Sequence, residues 1–248
     1  MLLRSARVNI LGTTVDNYSM QETVELIRQA IEDQILIRVV TANPEMIYAA
    51  DRDLQLKTLI NSAEIVTPDG IGVVWAARQL GTPVPERVTG IDLAQALFSA
   101  SNAGKWRFFF LGGRPGVSEQ AARLVSAEYP EIICKAWHGY FSPEEEPSVL
   151  EKIRSFHPDI LLVGLGAPRQ EYWIAEHLGL ATVSMGVGGS FDALAGIVIR
   201  APKRIQELHL EWLYRLCKEP WRWKRQGVLP RFVWKILCRR FLEKIPSK

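Results

Sequence analysis

Ile35-Leu36-Ile37-Arg38-Val39-Val40-Thr41-Ala42-Asn43-Pro44-Glu45 decides the architecture. Its first six residues are a short β-branched run of the kind that forms a buried strand, ending at Thr41-Ala42-Asn43. Pro44 suits the first turn of a helix, where its missing N–H leaves nothing unsatisfied. Upstream, Ser19-Met20-Gln21-Glu22 has the form of a capping box, and Val24, Ile27, Ala30 and Ile31 follow at helical spacing. Downstream, the pattern predicts two short helices, a strand at 64–67 and a helix from about Ile71 to Leu80. Further strands are expected at 107–111, 132–137, 159–163 and 181–185, each separated by an amphipathic stretch long enough for a crossover helix. Such alternation predicts an α/β fold, a mostly parallel sheet flanked by helices.

Ligands of such sheets bind beyond the carboxyl ends of the strands, and the polar and glycine-rich clusters fall there repeatedly. They are Thr41-Ala42-Asn43-Pro44-Glu45, Thr67-Pro68-Asp69-Gly70, Leu111-Gly112-Gly113, His138-Gly139-Tyr140, the run from Gly164 to Glu171 and the run from Gly186 to Asp192. One cleft is expected to collect them.

Composition narrows the class. With 248 residues, 48% hydrophobic and 23% charged, the chain can bury a full core, which excludes a disordered chain or a collagen-like fibre. Cys134, Cys217 and Cys238 lack the spacing of a disulfide framework or a zinc site, so no metal is expected and a reducing cytosol fits. The segment from Met1 to Gly12 has no apolar run of signal-peptide length, and the longest apolar stretch, Ile160 to Pro168, is too short for a bilayer span of about 20 residues.

The net charge of +3 conceals a division. Residues 1–199 carry 16 Lys and Arg against 23 Asp and Glu, whereas residues 200–248 carry 14 against 4 and hold 4 of the 8 tryptophans. An acidic body and a basic, aromatic appendage are therefore expected, the appendage facing an anionic partner. Ile205, Leu208, Trp212 and Leu216 predict one helical face. After Pro230, Phe232, Val233, Ile236, Leu237 and Phe241 form the apolar side of a last helix flanked by Arg231, Lys235, Arg239 and Lys244. That pattern fits a segment lying on an anionic membrane. The tail helices packing on the body is a plainer reading, and a nucleic-acid-binding tail a third. The third is disfavoured because a nucleic-acid groove offers the apolar face of Phe232, Ile236 and Phe241 nothing to pack on.

Individual residues discriminate among chemistries. Gly112-Gly113-Arg114-Pro115-Gly116 and Gly164-Leu165-Gly166 both miss the GxGxxG spacing, and no acidic residue closes the following strand to hold a ribose, so a nicotinamide enzyme is disfavoured. Glycines at these turns still admit a phosphate or sugar to the backbone. Asp69 is either a helix cap or a general base for a hydroxyl nucleophile; Thr41, Asn43 and Arg87 nearby in the pattern favour the base. Asp51-Arg52-Asp53 resembles a metal-binding acid pair, but its place between short helices makes Asp53 a cap, and Glu144-Glu145-Glu146 reads as a helix start. Gln170 stands at a strand-to-helix junction, where its amide can meet a sugar hydroxyl or phosphate. No serine lies in a GxSxG elbow, which disfavours a hydrolase triad.

Together these pieces resemble the WecG/TagA/CpsF family of glycosyltransferases from about Ile10 to Gln226. The resemblance rests on Thr41 to Glu45, Pro68-Asp69-Gly70, Glu86 to Gly90, Gly164 to Glu171, Gly186 to Asp192, and Arg200-Ala201-Pro202 leading to Glu211-Trp212-Leu213-Tyr214-Arg215. Arg169 stands where a Lys is common. The resemblance implies a Rossmann-like body and an inverting, metal-independent transferase with no cofactor beyond its UDP-sugar donor. The sugar, N-acetylmannosamine or a relative such as its uronic acid, glucose or glucuronic acid, would pass to an acceptor sugar, N-acetylglucosamine first among candidates, on undecaprenyl diphosphate. Teichoic acid or surface polysaccharide assembly is the implied setting, with the enzyme peripheral on the inner face of the membrane. By the same resemblance Asp69 is the base, Thr41, Asn43, Arg87 and Gln170 line the sugar site, and Arg215, Arg222 and Arg225 close over the diphosphate. Gly112, Gly139, Tyr140, Gly166, Gly188 and Asp192, in the strand-end clusters, are assigned to substrate binding. The apolar surface of the tail leaves a homo-oligomer open.

Overall fold

The computed structural model describes residues 7–208, 210–220 and 223–243, of which 102–104, 224, 225 and 243 are described in backbone only. A hairpin of β1 (Val8–Ile10) and β2 (Thr13–Val15) precedes α1 (Met20–Glu32), β3 (Ile37–Ala42), α2 (Pro44–Ala50), α3 (Leu54–Ser62), β4 (Ile65–Pro68), α4 (Ile71–Gln79) and α5 (Gly90–Gly104). Next come β5 (Arg107–Gly112), α6 (Val117–Glu128), β6 (Ile133–Trp137), α7 (Glu146–Phe156), β7 (Ile160–Gly164), α8 (Arg169–Glu176), β8 (Val183–Gly186) and α9 (Ser190–Leu194). The tail contributes α10 (Lys203–Glu207), α11 (Glu211–Lys218), α12 (Trp223–Gln226) and α13 (Leu229–Glu243).

Six strands pair in parallel in the order β4-β3-β8-β7-β5-β6. All strands except the edge strand β6 are buried along most of their length, as expected when helices cover both faces of a parallel sheet. On one face, Val39, Phe108, Phe110, Leu162 and Met185 pack against α1, α5, α6 and α9, with Phe110 stacked between Phe98 and Phe191. On the other, Val40, Ala42 and Val66 meet α2, α3 and α4, while Phe109, Leu111, Leu161 and Val163 meet α7 and α8.

The caps predicted at Ser19 and Asp53 form, and Asn43 supplies a further one before Pro44. Ser19 and Glu22 make the reciprocal capping box, Asn43 Oδ1 accepts from the Met46 amide at 2.9 Å with Pro44 in the first turn, and Asp53 Oδ1 accepts from Leu56 at 3.0 Å. Asp53 also accepts from the Tyr172 hydroxyl at 3.0 Å, so the Asp51-Arg52-Asp53 triplet is structural here. Strand starts differ from the apolar runs. Ile35 is still part of the exit from α1, its amide bonded to Ala30 O after Gln34 at φ 54°, and the ladder to β8 begins only at Ile37. The β1–β2 hairpin was not expected: its strands have three residues each, too few to display an alternation, and its register is fixed by a turn with positive φ at Leu11 and Gly12. Asp16 then anchors it to the sheet, accepting from Arg7 Nε at 2.8 Å and from the Val66 amide at 2.6 Å.

The tail departs from its predicted helical face. Helix α10 stops at Glu207, the Leu210 amide turns back to Ile205 O at 3.0 Å, and α11 starts afresh, leaving Leu208 and Trp212 exposed and Glu211 buried. In α13, Phe232 and Ile236 are fully buried in the apolar cluster of Val40, Ile47, Val73 and Ala77. Lys235 pairs with Asp51 on this docked side and Arg240 donates to Gln79. Part of the face expected to meet a membrane thus packs on α2 and α4, which is the plainer of the readings of that helix; Trp234, Phe241 and Leu242 stay exposed. Among the described residues, no helix is long and apolar enough to cross a membrane.

Phe232→Ala should destabilise the protein by about 3 kcal/mol, the usual cost of emptying a phenylalanine site. Urea unfolding measures the loss, and limited proteolysis should show α13 cut first.

Candidate active site

Because the six strands run parallel, their carboxyl ends share one edge, and the strand-end clusters become neighbours. Thr41 is buried and its Oγ1 donates to Gly186 O at 3.0 Å, joining the ends of β3 and β8. The Gly113 amide donates to Gly164 O at 3.2 Å and the Gly139 amide to Gly113 O at 2.9 Å, which continues the edge through β7, β5 and β6. Gly112 has φ 145°, and a Cβ there would lie 2.5 Å from Gly164 O, so only glycine lets these two strand ends approach so closely.

Asp69 follows β4 directly. Its amide donates to Ala42 O at 2.9 Å, and the cap of α4 is Gly70 at φ 97°, with no side-chain cap bond. The helix-cap alternative for Asp69 is therefore not realised. Burial pushes its carboxyl up from the ordinary 3.8 to about 6, against the opposing pull of Arg87, Arg215 and the Gly90 N–H; Glu211 adds to the rise. A carboxylate so placed is a proton acceptor close to neutral pH.

The cations acting on it, Arg87 and Arg215, come from two parts of the chain and belong to a larger ionic cluster. Arg87 lies before α5, the helix capped by Thr89, and its Nη1 is 3.3 Å from Glu211 Oε2. Arg215 on α11 donates to Glu211 Oε1 at 2.9 Å. Arg200 Nη1 bonds Asp92 at 2.6 Å and its Nε lies 3.4 Å from Glu211. Arg200, Asp92 and Glu211 were not among the expected site residues. The Glu211/Arg215 spacing of four on a helix was a usable signal of a pair, whereas nothing in the sequence joins Arg200 to Asp92.

The remaining expected residues are placed as follows. Asn43 is occupied at its oxygen by the cap of α2. Gln170 is buried, donating to Glu171 at 2.8 Å and accepting from the Gly188 amide at 3.0 Å; it ties the start of α8 to the loop after β8. Burial raises the proton affinity of Glu171 beside it. Gly139 is buried, Tyr140 is exposed, Gly166 and Gly188 take positive φ at the loops after β7 and β8, and Asp192 sits in the first turn of α9. Arg222 lies outside the described residues, as does the side chain of Arg225. Among the described residues, no group of three or more His, Cys, Asp or Glu is arranged to hold a metal ion.

A parallel sheet with a proton-accepting carboxylate and guanidiniums at its carboxyl edge is the form of a group-transfer enzyme acting on phosphorylated substrates. The description Glycosyl transferase WecG/TagA/CpsF family matches residues 8–245, and the chain belongs to that family; it is a glycosyltransferase. It is 38% identical over 239 residues to the N-acetylglucosaminyldiphosphoundecaprenol N-acetyl-beta-D-mannosaminyltransferase of Staphylococcus aureus strain MW2, covering 94% of this chain and 92% of that one. The protein of the same description from strain NCTC 8325 / PS 47 is 38% identical, and that of strain MRSA252 is 37% identical, over the same shares.

The raised proton affinity of Asp69 carries a stability consequence. The fold retains its proton up to about pH 6, whereas the unfolded chain releases it near 3.8, so ionisation of Asp69 opposes folding above that window. Asp69→Asn is expected to raise Tm by a few degrees at pH 7 to 8, with the gain vanishing as the pH falls to about 4. Thermal melts across that range check it.

Proposed function

We propose that the protein transfers N-acetylmannosamine from a UDP donor to N-acetylglucosaminyldiphosphoundecaprenol, with inversion at the anomeric carbon. The similarity to the Staphylococcus aureus enzymes over nearly the whole chain supports the substrates, and the family supports the UDP donor. The observation that carries the chemistry is Asp69, a recessed carboxylate at the end of β4 with Arg87 and Arg215 close enough to act on its charge.

In this reading Asp69 takes the proton from the acceptor hydroxyl as that oxygen bonds to the anomeric carbon. The bond from that carbon to the donor diphosphate breaks on the opposite face, and UDP leaves with the electron pair. Negative charge then grows on the diphosphate oxygens. Arg87 from the body and Arg215 from the tail supply forked N–H donors matched to phosphate, which fits transfer without a metal. Burial of Asp69 suits the base role, since a proton acceptor works best when its affinity lies near the working pH. The membrane is met by the tail: Trp234, Phe241 and Leu242 on α13 and Trp212 and Leu213 on α11 are exposed apolar side chains among basic residues, the composition of an interfacial segment.

Asp69→Ala should lower transfer about a thousandfold, in the range expected for removal of a general base, with UDP still bound. In the unaltered enzyme kcat/KM should fall tenfold per pH unit below about 6, because protonated Asp69 cannot accept a proton. A panel of UDP-sugars against a short-chain lipid-diphosphate acceptor, read by product mass, tests the substrates; preference for another sugar would reassign the donor, and full turnover by Asp69→Ala would remove the base. Replacing Trp234 and Phe241 together by Glu should abolish co-sedimentation with anionic vesicles while leaving the melt unchanged.

A further inference from the structure

Three arginines from separate segments converge on one carboxylate. Glu211 Oε1 accepts from Arg215 Nη2 at 2.9 Å and lies 3.4 Å from Arg200 Nε, while Oε2 lies 3.3 Å from Arg87 Nη1. Its side chain is only 9% exposed. Asp92, fixed by the Thr89 hydroxyl at 2.5 Å, takes Arg200 at 2.6 Å and stands 3.9 Å from Arg87, without an ion pair to Arg215 among the described residues. Glu211 is thus the group that touches all three guanidiniums. Among the described residues, Arg200 Nη2 and Arg215 Nε are buried with no hydrogen-bond partner, so the cluster is richer in donors than in acceptors. Guanidiniums this close repel one another unless a shared counter-charge holds them.

We propose that Glu211 is a positioning residue of the transfer reaction, a buried carboxylate that binds the tail to the body through Arg87, Arg200 and Arg215 and so holds Arg87 and Arg215 beside Asp69. The proposal rests on the reading of Asp69 as base and of the arginines as diphosphate ligands. Glu211 touches neither substrate nor reacting atoms in it and acts only through the arginines. Asp69 is faced by Arg87 from the loop before α5, by Arg215 and Glu211 from α11 and by the Gly90 N–H at the start of α5; the Asp92–Arg200 pair joins this group through Arg87 and Glu211. These groups make the direction of a pH shift diagnostic. If Glu211 only contributes its negative charge, removing that charge lowers the proton affinity of Asp69. If Glu211 holds the arginines in place, removing it lets them disperse and raises that affinity.

Glu211→Gln, isosteric and uncharged, is the test, with Glu211→Asp as the variant that keeps the charge but shortens its reach. UDP binding by calorimetry should weaken about tenfold in Glu211→Gln and less in Glu211→Asp, with the donor KM rising in step. The acid limb of kcat/KM should move to higher pH. On an Arg215→Gln background, Glu211→Gln should weaken UDP by clearly less than its tenfold effect alone, since the part of that effect that runs through Arg215 is already lost. Unchanged UDP affinity, tighter binding or full additivity overturns the proposal, as does an acid limb that stays or moves to lower pH. Should Glu211→Gln fail to fold, Glu211→Asp decides by the same affinity and limb. UDP binding needs no base, so retained turnover in Asp69→Ala would end the base reading while the calorimetry still judged Glu211.

Discussion

Parallel pairing of β3 with β8, from Ile37 opposite Val183 to Val39 opposite Met185, is the constraint on which the rest depends. It joins the two-strand unit β4-β3 to the four-strand unit β8-β7-β5-β6, and among the described residues no other ladder crosses that seam. The seam continues past the backbone ladder as the Thr41 hydroxyl bond to Gly186. Because of it, the ends of β4, carrying Asp69, and of β7 and β8, carrying Gln170 and Gly188, open onto one edge. Gly90 fits against Thr41 and Gly186 at the same seam, which sets the start of α5 and with it the position of Arg87 just before.

Charge follows the same geometry. The acidic body supplies a carboxylate with raised proton affinity, and the basic tail returns cations to it. The near-neutral total therefore conceals an arrangement in which opposite charges are separated along the sequence and reunited in space. Asp92 and Glu211 keep the arginines from being a diffuse positive patch, since each guanidinium is oriented by at least one carboxylate. Orientation matters because phosphate recognition by arginine depends on the direction of its forked donors as well as on its charge.

Much of this was legible in the sequence, for identifiable reasons. The sheet strands stood out because burial on both faces favours near-continuous apolar runs, which β3, β5 and β7 display most plainly. Asp53 and Ser19 were readable as caps because a cap is local, needing only a residue type and a spacing, whereas Asn43, read as a sugar-site residue, proved to be a cap as well. Asp69 was readable because it sits between Pro68 and Gly70 at a strand end. The β1–β2 hairpin was not readable, since three-residue strands show no period and their anchor, Asp16 to Val66, spans distant segments. Nor was the burial of Glu211, or the inward turn of Phe232 and Ile236: helical periodicity gives an apolar face but does not say whether lipid or protein covers it. Gln170 stood out as a polar residue at the edge, yet its engagement with Glu171 and Gly188 depends on two loops whose meeting only the fold determines.

The docking of α13 on α2 and α4 changes what kind of object the tail is. A helical appendage attached at one end searches a wide volume, whereas this one is held at Glu211 and again at Phe232 and Ile236, so the segment between forms a closed loop. Loss of one attachment leaves the other in place, and reattachment is then an intramolecular event at an effective concentration of about the millimolar range. The entropy of closing such a loop grows only slowly with its length, so the spacing between the two attachments costs little stability.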